Sequence, residues 1–382
     1  SQRKRCTKIV KVFLKGSMFI SFILGLLPLK NINFKLRKLA KCYNVFIKLF
    51  LFVAIVFCVH QVPSLFRSSS FFNNFISITI EYTIVLSKLI TVIKLWFGGV
   101  KHNKLLVDAL KLRNDYFRSK DIENVFFARH VIVRSAVNFF QLLCTIIYML
   151  LIHPNDTINV YLLILGICIL QSVNFSIEIQ YFYGILYICC FYDTLNKDLV
   201  TVLIKLKAID TRKSISMQRS CDLADEVDLI ASIYRQLFYL EQRLTVLFDL
   251  PLILIHFSKV NNIVAISFNF VVFLTGKFHP KNKEPIIFEM LFISANMIVL
   301  WLNINVCECL SNNASRLQET LKSFTEFSMV ELETMAIQCS IVIPKVCIGG
   351  FFDFNHRSGF QVVIFIFSML LVLVQYDYIN LY

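Results

Sequence analysis

The sequence predicts an all-α polytopic membrane protein: seven transmembrane helices, N-terminus inside and C-terminus outside, with cytosolic helical extensions. Three observations predict it. The chain is 57% hydrophobic with 38 phenylalanines and a mean hydropathy of +0.66, a composition that soluble domains do not carry. Seven apolar stretches approach or exceed the roughly 20 residues that cross a bilayer. The charge is uneven: from Arg3 to Lys41 every charged residue is basic. A net charge of +14 distributed this way fits the positive-inside bias of membrane proteins rather than nucleic-acid binding.

Residues 1–44 read as a basic cytosolic segment. Within it, Phe19 to Leu29 is too short to span and reads as an interfacial helix ended near Pro28. The first span is residues 45–62, followed by a Ser-rich loop. The second, 75–97, places Glu81 and Lys88 seven apart on one face, an intramembrane ion pair. Residues 98–134 are rich in Lys and Arg and read as an inside loop. The third span is 135–152. A tight turn follows with the glycosylation sequon Asn155-Asp156-Thr157.

The fourth span, 160–180, continues as a helix into the cytosol, where Lys197 to Arg219 mark the inside. Leu223, Val227, Ile230, Ile233 or Tyr234, and Leu237 then recur at helical spacing and predict an amphipathic helix. The fifth region, 245–275, is interrupted by Lys259-Val260-Asn261-Asn262, which predicts a kink or a water-facing patch. The loop after it carries Lys277, Lys281 and Lys283, the one loop against this orientation. The sixth span is 285–306. Residues 312–327 and 329–343 are helical in pattern, and Pro344 with Gly349-Gly350 ends the second. The seventh span is 360–376.

That last span holds the most informative pattern. Gln361, Ser368 and Gln375 are the only polar residues between Phe360 and Tyr376, and they lie seven apart, twice. Two helical turns are about 7.2 residues, so all three share one face. A polar stripe on such a helix faces protein or water rather than lipid. It either lines a pore or seals a seam against neighbouring helices.

Twelve cysteines are present, placed in spans or inside segments, so no disulfide framework is expected. Cys307-x-Cys309 and Cys189-Cys190 lack the paired spacing of a zinc site. The histidines form no triad or metal pattern and no phosphate loop is present. The reading is therefore no enzyme, no metal, no cofactor and no nucleic-acid partner.

Residues 368–376, Ser-Met-Leu-Leu-Val-Leu-Val-Gln-Tyr, resemble the signature of insect gustatory receptors: Thr-Tyr, five apolar residues, Gln-Phe. Gln375 and the apolar run match; Tyr376 replaces Phe and Ser368-Met369 replaces Thr-Tyr. Gly349-Gly350-Phe351-Phe352-Asp353 is similar to the family's Cys-Gly-Phe-Phe-Asp, Leu195-Asn196-Lys197-Asp198-Leu199 to its Leu-Asn-x-x-Leu, and Phe248-Asp249-Leu250-Pro251 to the opening of its fifth span. The resemblance is clearest from Phe191 to Tyr376.

The resemblance implies a ligand-gated, nonselective cation channel in the plasma membrane, a homo- or heterotetramer with related receptor subunits, binding a small-molecule tastant and contacting membrane lipids. It implies a channel domain over 45–376 with cytosolic helices at 191–244 and 307–347, and a short extracellular tail at 377–382. Gln361, Ser368 and Gln375 would line the pore, with Leu371 or Val372 as an apolar gate. A ligand pocket is implied in the outer half of the spans, with Tyr148, Gln171, Glu289 and Asn296 as intramembrane polar candidates. The alternatives are an insect odorant receptor subunit, a G-protein-coupled receptor, or a transporter. The second of these needs the opposite orientation. The third calls for repeats or broken helices.

Overall fold

The computed structural model describes residues 2–26, 34–65, 71–120, 122, 124–152, 158–208, 214–274, 284–322, 334–337, 339, 344, 346–348 and 352–379. Eight long helices carry nearly all of them: α1 (Gln2–Ile23), α2 (Phe34–Leu65), α3 (Phe71–Asp115), α4 (Val125–Ile152), α5 (Ile158–Lys207), α6 (Ser214–Leu274), α7 (Glu284–Lys322) and α8 (His356–Ile379). Helices α2 to α8 each contain one expected span. Among the described residues, five of them hold windows long and apolar enough to cross a membrane, and Cys42–Phe57 in α2 is a shorter apolar stretch. The only sheet among the described residues is an antiparallel ribbon just before α8, β1 (Cys347–Ile348) on β2 (Phe352–Asp353).

Several boundaries differ from the sequence reading. Helix α1 starts at Gln2, not Phe19, and ends at Ile23, two residues before Gly25, whose φ of 67° closes the turn after it. Val10 and Ser21 on α1 are buried against the bundle. The segment 98–134 is mostly helical rather than a loop. Helix α3 runs on to Asp115 because Leu105 and Leu112 find a core to pack on. Helix α4 begins at Val125, where the Asn124 side chain accepts the Phe127 amide at 2.9 Å. Arg134, expected at the loop's end, is fully buried inside α4. At 259–262, where the sequence predicts a kink or a water-facing patch, helix α6 runs on without interruption, as it does through Pro251, and Lys259 is paired with a buried carboxylate. The notional pair Glu81–Lys88 involves side chains outside those described, and Asn155, Pro28 and Gly349-Gly350 fall outside the described residues.

Helices α5 and α6 far exceed a membrane. At 1.5 Å per residue, the 50 residues of α5 reach about 75 Å, against about 30 Å of hydrocarbon. The excess forms an overhang with α7 and the end of α3. There the predicted face of α6 is buried: Leu223, Val227, Ile230, Ile233, Tyr234 and Leu237. It packs with Leu195, Leu199 and Leu203 of α5 and Leu310, Ala314 and Leu317 of α7 in one continuous core. Surface ion pairs link the same helices, Arg243 to Asp108 at 2.6 Å and Lys205 to Glu226 at 3.5 Å. Gly184 lets α5 approach α6 closely, since a Cβ there would meet Leu244 Cδ2 at 2.7 Å.

Candidate functional site

Among the five membrane-length apolar windows of the described residues, that of helix α8 is the least buried. Its start is set by Asn355, whose side chain accepts the Ser358 amide at 2.8 Å, and by Glu308 on α7, which accepts the His356 amide at 3.1 Å. Gly359 lies against α7: a Cβ would stand 2.6 Å from Ile304 Cδ1. Further along, Val362, Ile366 and Leu373 pack on Val260, Ile263 and Val264 of α6 and on Ile293 and Met297 of α7. These contacts define the one face that α8 turns to its own chain.

The polar stripe lies elsewhere. Gln361, Ser368 and Gln375 are all exposed. At 3.6 residues per turn they lie roughly 140° around the helix from Ile366 and Leu373. Leu371 (62% exposed) and Val372 (57%) flank them on the same open side. A seam against this chain's own helices is therefore not where these residues are; the open face carries them together.

A second polar feature was not singled out from sequence. Arg134 on α4, Glu178 on α5 and Lys259 on α6 meet in the bundle interior. Arg134 Nη2 donates to Glu178 Oε2 at 2.9 Å and Lys259 Nζ stands 2.6 Å from Oε1. The side chains of Arg134 and Glu178 are wholly buried and that of Lys259 is 13% exposed. Two cations share one carboxylate, so the cluster has a formal excess of one positive charge. Arg134 also leans over the Phe182 ring, 5.5 Å from its centroid. Its Nε and Nη1 are buried without a protein partner, as are both amide atoms of Asn138 one turn on. Gln141 comes next on the same face and donates to Asn296 Oδ1 on α7 at 2.9 Å. Thr145 follows, bonded to the Gln141 carbonyl at 2.9 Å. Arg134, Asn138, Gln141 and Thr145 thus form a polar spine down α4 at helical spacing. That spacing, crossing an apolar span, was the signal available in the sequence.

This cluster touches the lead-in to α8. His256, one turn before Lys259, is half-buried with its ring 5.1 Å from that of Phe354. Phe354 closes the ribbon, its amide donating to the Val346 carbonyl at 3.0 Å. Helix α6 therefore carries both Lys259 and the support for α8.

Of the four expected ligand residues, Asn296 is buried and bonded to Gln141, and Gln171 is half-buried on α5. The structure does not bring these two into one described pocket. The side chains of Tyr148 and Glu289 lie outside those described. Among the described residues no group of His, Cys, Asp or Glu is arranged to hold a metal. Cys189 and Cys309, distant in sequence, meet with their sulfurs 3.4 Å apart and unbonded.

Eight long helices, seven of them (α2 to α8) carrying the expected spans, a polar spine inside them and an overhanging helical end define a polytopic α-helical membrane protein. Residues 14–380 match the 7tm chemosensory receptor family, and the chain belongs to that family, one of receptors rather than enzymes. It is 24% identical over 287 residues to the gustatory receptor for bitter taste 22e of Drosophila melanogaster, covering 71% of this chain and 68% of that one. It is 24% identical over 405 residues to the putative gustatory receptor 22a of the same species, covering 100% of this chain and 98% of the other. Among solved structures it resembles the insect olfactory receptor OR5 from Machilis hrabei in complex with eugenol. The TM-score is 0.67 at 13% identity, covering 96% of this chain and 99% of that one.

Proposed function

We propose that this chain is a gustatory receptor acting as a ligand-gated, nonselective cation channel of the plasma membrane, assembled as a tetramer with α8 around the axis. The observation that carries this is the open face of α8. Gln361, Ser368 and Gln375 sit on the side of α8 that its own chain leaves uncovered, within a helix otherwise built of Val, Ile, Phe, Leu and Met. Lipid offers such groups no hydrogen bonds. Facing an axis shared by four copies, they wet a path while Leu371 and Val372 narrow it. Uncharged amides and a hydroxyl favour passage without sharp ion selection. The ends are oriented with the N-terminus inside, as the basic residues 1–44 require.

A ligand opens such a channel only by binding the open state better than the closed one. The α4 spine and the Arg134–Glu178–Lys259 cluster supply a route. They tie α4, α5 and α7 to α6, and α6 to α8 through Val260, Ile263 and Val264. The gustatory relatives support a taste ligand, a bitter compound, a sugar or another contact cue. The odorant-receptor reading is kept second because the solved likeness is to an olfactory receptor.

The test is electrical and topological together. With an epitope tag after Tyr382, intact cells stain. In the same cells, Gln375→Ala shifts conductance or reversal potential of the ligand-evoked current. A tag reached only after permeabilisation, despite surface expression, overturns the orientation. A current unaltered by Gln375→Ala returns the stripe to a packing role.

A further inference from the structure

A cavity of about 280 Å³ lies at the overhang end of the bundle, between α1, α3, α5 and α6. None of Tyr148, Gln171, Glu289 or Asn296 lines it. Its walls are almost wholly apolar, with Leu105, Ala109, Ile188 and Leu244 among them. It is elongated: the stretch of α3 along it, from His102 to Arg113, extends about 16 Å at 1.5 Å per residue. Arg113 ends it, its guanidinium 5.8 Å from the Tyr187 ring centroid. The open side is flanked by Met18 and Leu110, 52% and 43% exposed, so entry is from an apolar surface.

Two groups in this lining are out of place in a purely structural gap. Ser21, only 1% exposed, has a buried hydroxyl with no partner, and the Gln180 Nε2 amide is likewise buried and unpartnered. A buried donor without an acceptor costs on the order of 1–3 kcal/mol. Both can donate, and both belong to the same cavity. The volume is near the low end of small-molecule sites, about 300 Å³, which suits one small molecule and excludes a two-chain phospholipid.

We infer that this cavity is a second binding site, separate from any outer-half pocket, for a small lipophilic molecule bearing one hydrogen-bond-accepting oxygen, such as an ester or ketone. The apolar body lies along α3 between Leu105 and Leu110. The oxygen accepts from Ser21 Oγ and Gln180 Nε2. The molecule reaches the site past the exposed side chains of Met18 and Leu110. An occupant wedged between α3, α5 and α6 bears on α6, the helix that also supports α8, so the site is placed to bias opening without touching the outer half. The binding itself does not rest on the channel reading.

The test uses the purified full chain in detergent. Two photoreactive probes are compared, a medium-chain methyl ester carrying a diazirine and the alkane of equal length with the same tag. Adducts are mapped by peptide mass spectrometry. The ester labels peptides of α1, α3 and α5 roughly tenfold more than the alkane, the ratio that one to two hydrogen bonds supply. Free, untagged ester competes it away. Gln180→Leu lowers the ester-to-alkane ratio severalfold, leaving the Ser21 bond alone, while alkane labelling persists, and Ala109→Trp, which fills the cavity, removes both. The wild-type comparison needs no variant to fold. Equal labelling by ester and alkane in the wild type overturns the inference, as do adducts centred on the exposed face of α8 or a site filled by co-purified phospholipid.

Discussion

Lys259 Nζ on α6 stands 2.6 Å from Glu178 Oε1 on α5, deep among helices that are otherwise aliphatic and aromatic. The same carboxylate takes Arg134 from α4. One acidic residue thus joins three helices, and its two partners differ in what their loss would leave behind.

Replacing the carboxylate strands both cations. Glu178→Gln is expected to cost on the order of 3–5 kcal/mol, because breaking a buried pair leaves charge uncompensated. Lys259→Met is expected to be much milder. It removes the excess positive charge and leaves Arg134 balanced by Glu178. Thermal unfolding of the detergent-purified protein, read by size-exclusion fluorescence, checks both. Equal losses in the two variants contradict the assignment of Glu178 as the shared centre.

Gly359 sets the distance between α8 and α7. Gly359→Ala brings a Cβ to 2.6 Å from Ile304 Cδ1, and Ile304 is 4% exposed with little room to yield. The expected cost is about 1–3 kcal/mol of overpacking, with α8 displaced and gating altered. Ile304→Val deletes the clashing Cδ1 atom. The double variant therefore recovers most of the loss, a coupling that a double-mutant cycle of melting temperatures and currents measures. Strictly additive effects contradict the close approach.

Asn296 discriminates between a structural and a ligand-contacting role. Asn296→Ala leaves the Gln141 amide buried and unpaired, at a cost of about 1–3 kcal/mol. The expected result is a lower melting temperature with the ligand concentration for half-maximal current little changed. A large shift in that concentration at unchanged melting temperature assigns Asn296 to the ligand instead.

The seven spans were legible because apolar length is the strongest signal a membrane helix offers, and the buried face of α6 was legible because Leu223 to Leu237 keep helical spacing. The boundaries were less so. Residues 98–115 carry many Lys, and charge reads as loop until Leu105 and Leu112 are seen to have a core beneath them. Lys259 read as an interruption for the same reason: its partner Glu178 lies 81 positions away on another helix. The stripe of α8 was legible by spacing, but whether it met this chain or turned away from it required Ile366 and Leu373 on the opposite side. The cavity of Ser21 and Gln180 had no sequence signature, since it is assembled from four helices.

The most direct measurement is the reactivity of a cysteine at position 368. In cells expressing Ser368→Cys, a membrane-impermeant, water-soluble thiol reagent is applied during ligand-evoked current. The wild type, which sets the background, and Ile366→Cys, on the packed face, serve as references. If α8 lines the pore, the Ser368→Cys current changes irreversibly, and far faster when channels are open than when closed. A current no more sensitive than the wild type, with the variant shown to reach the surface, contradicts a pore built on α8.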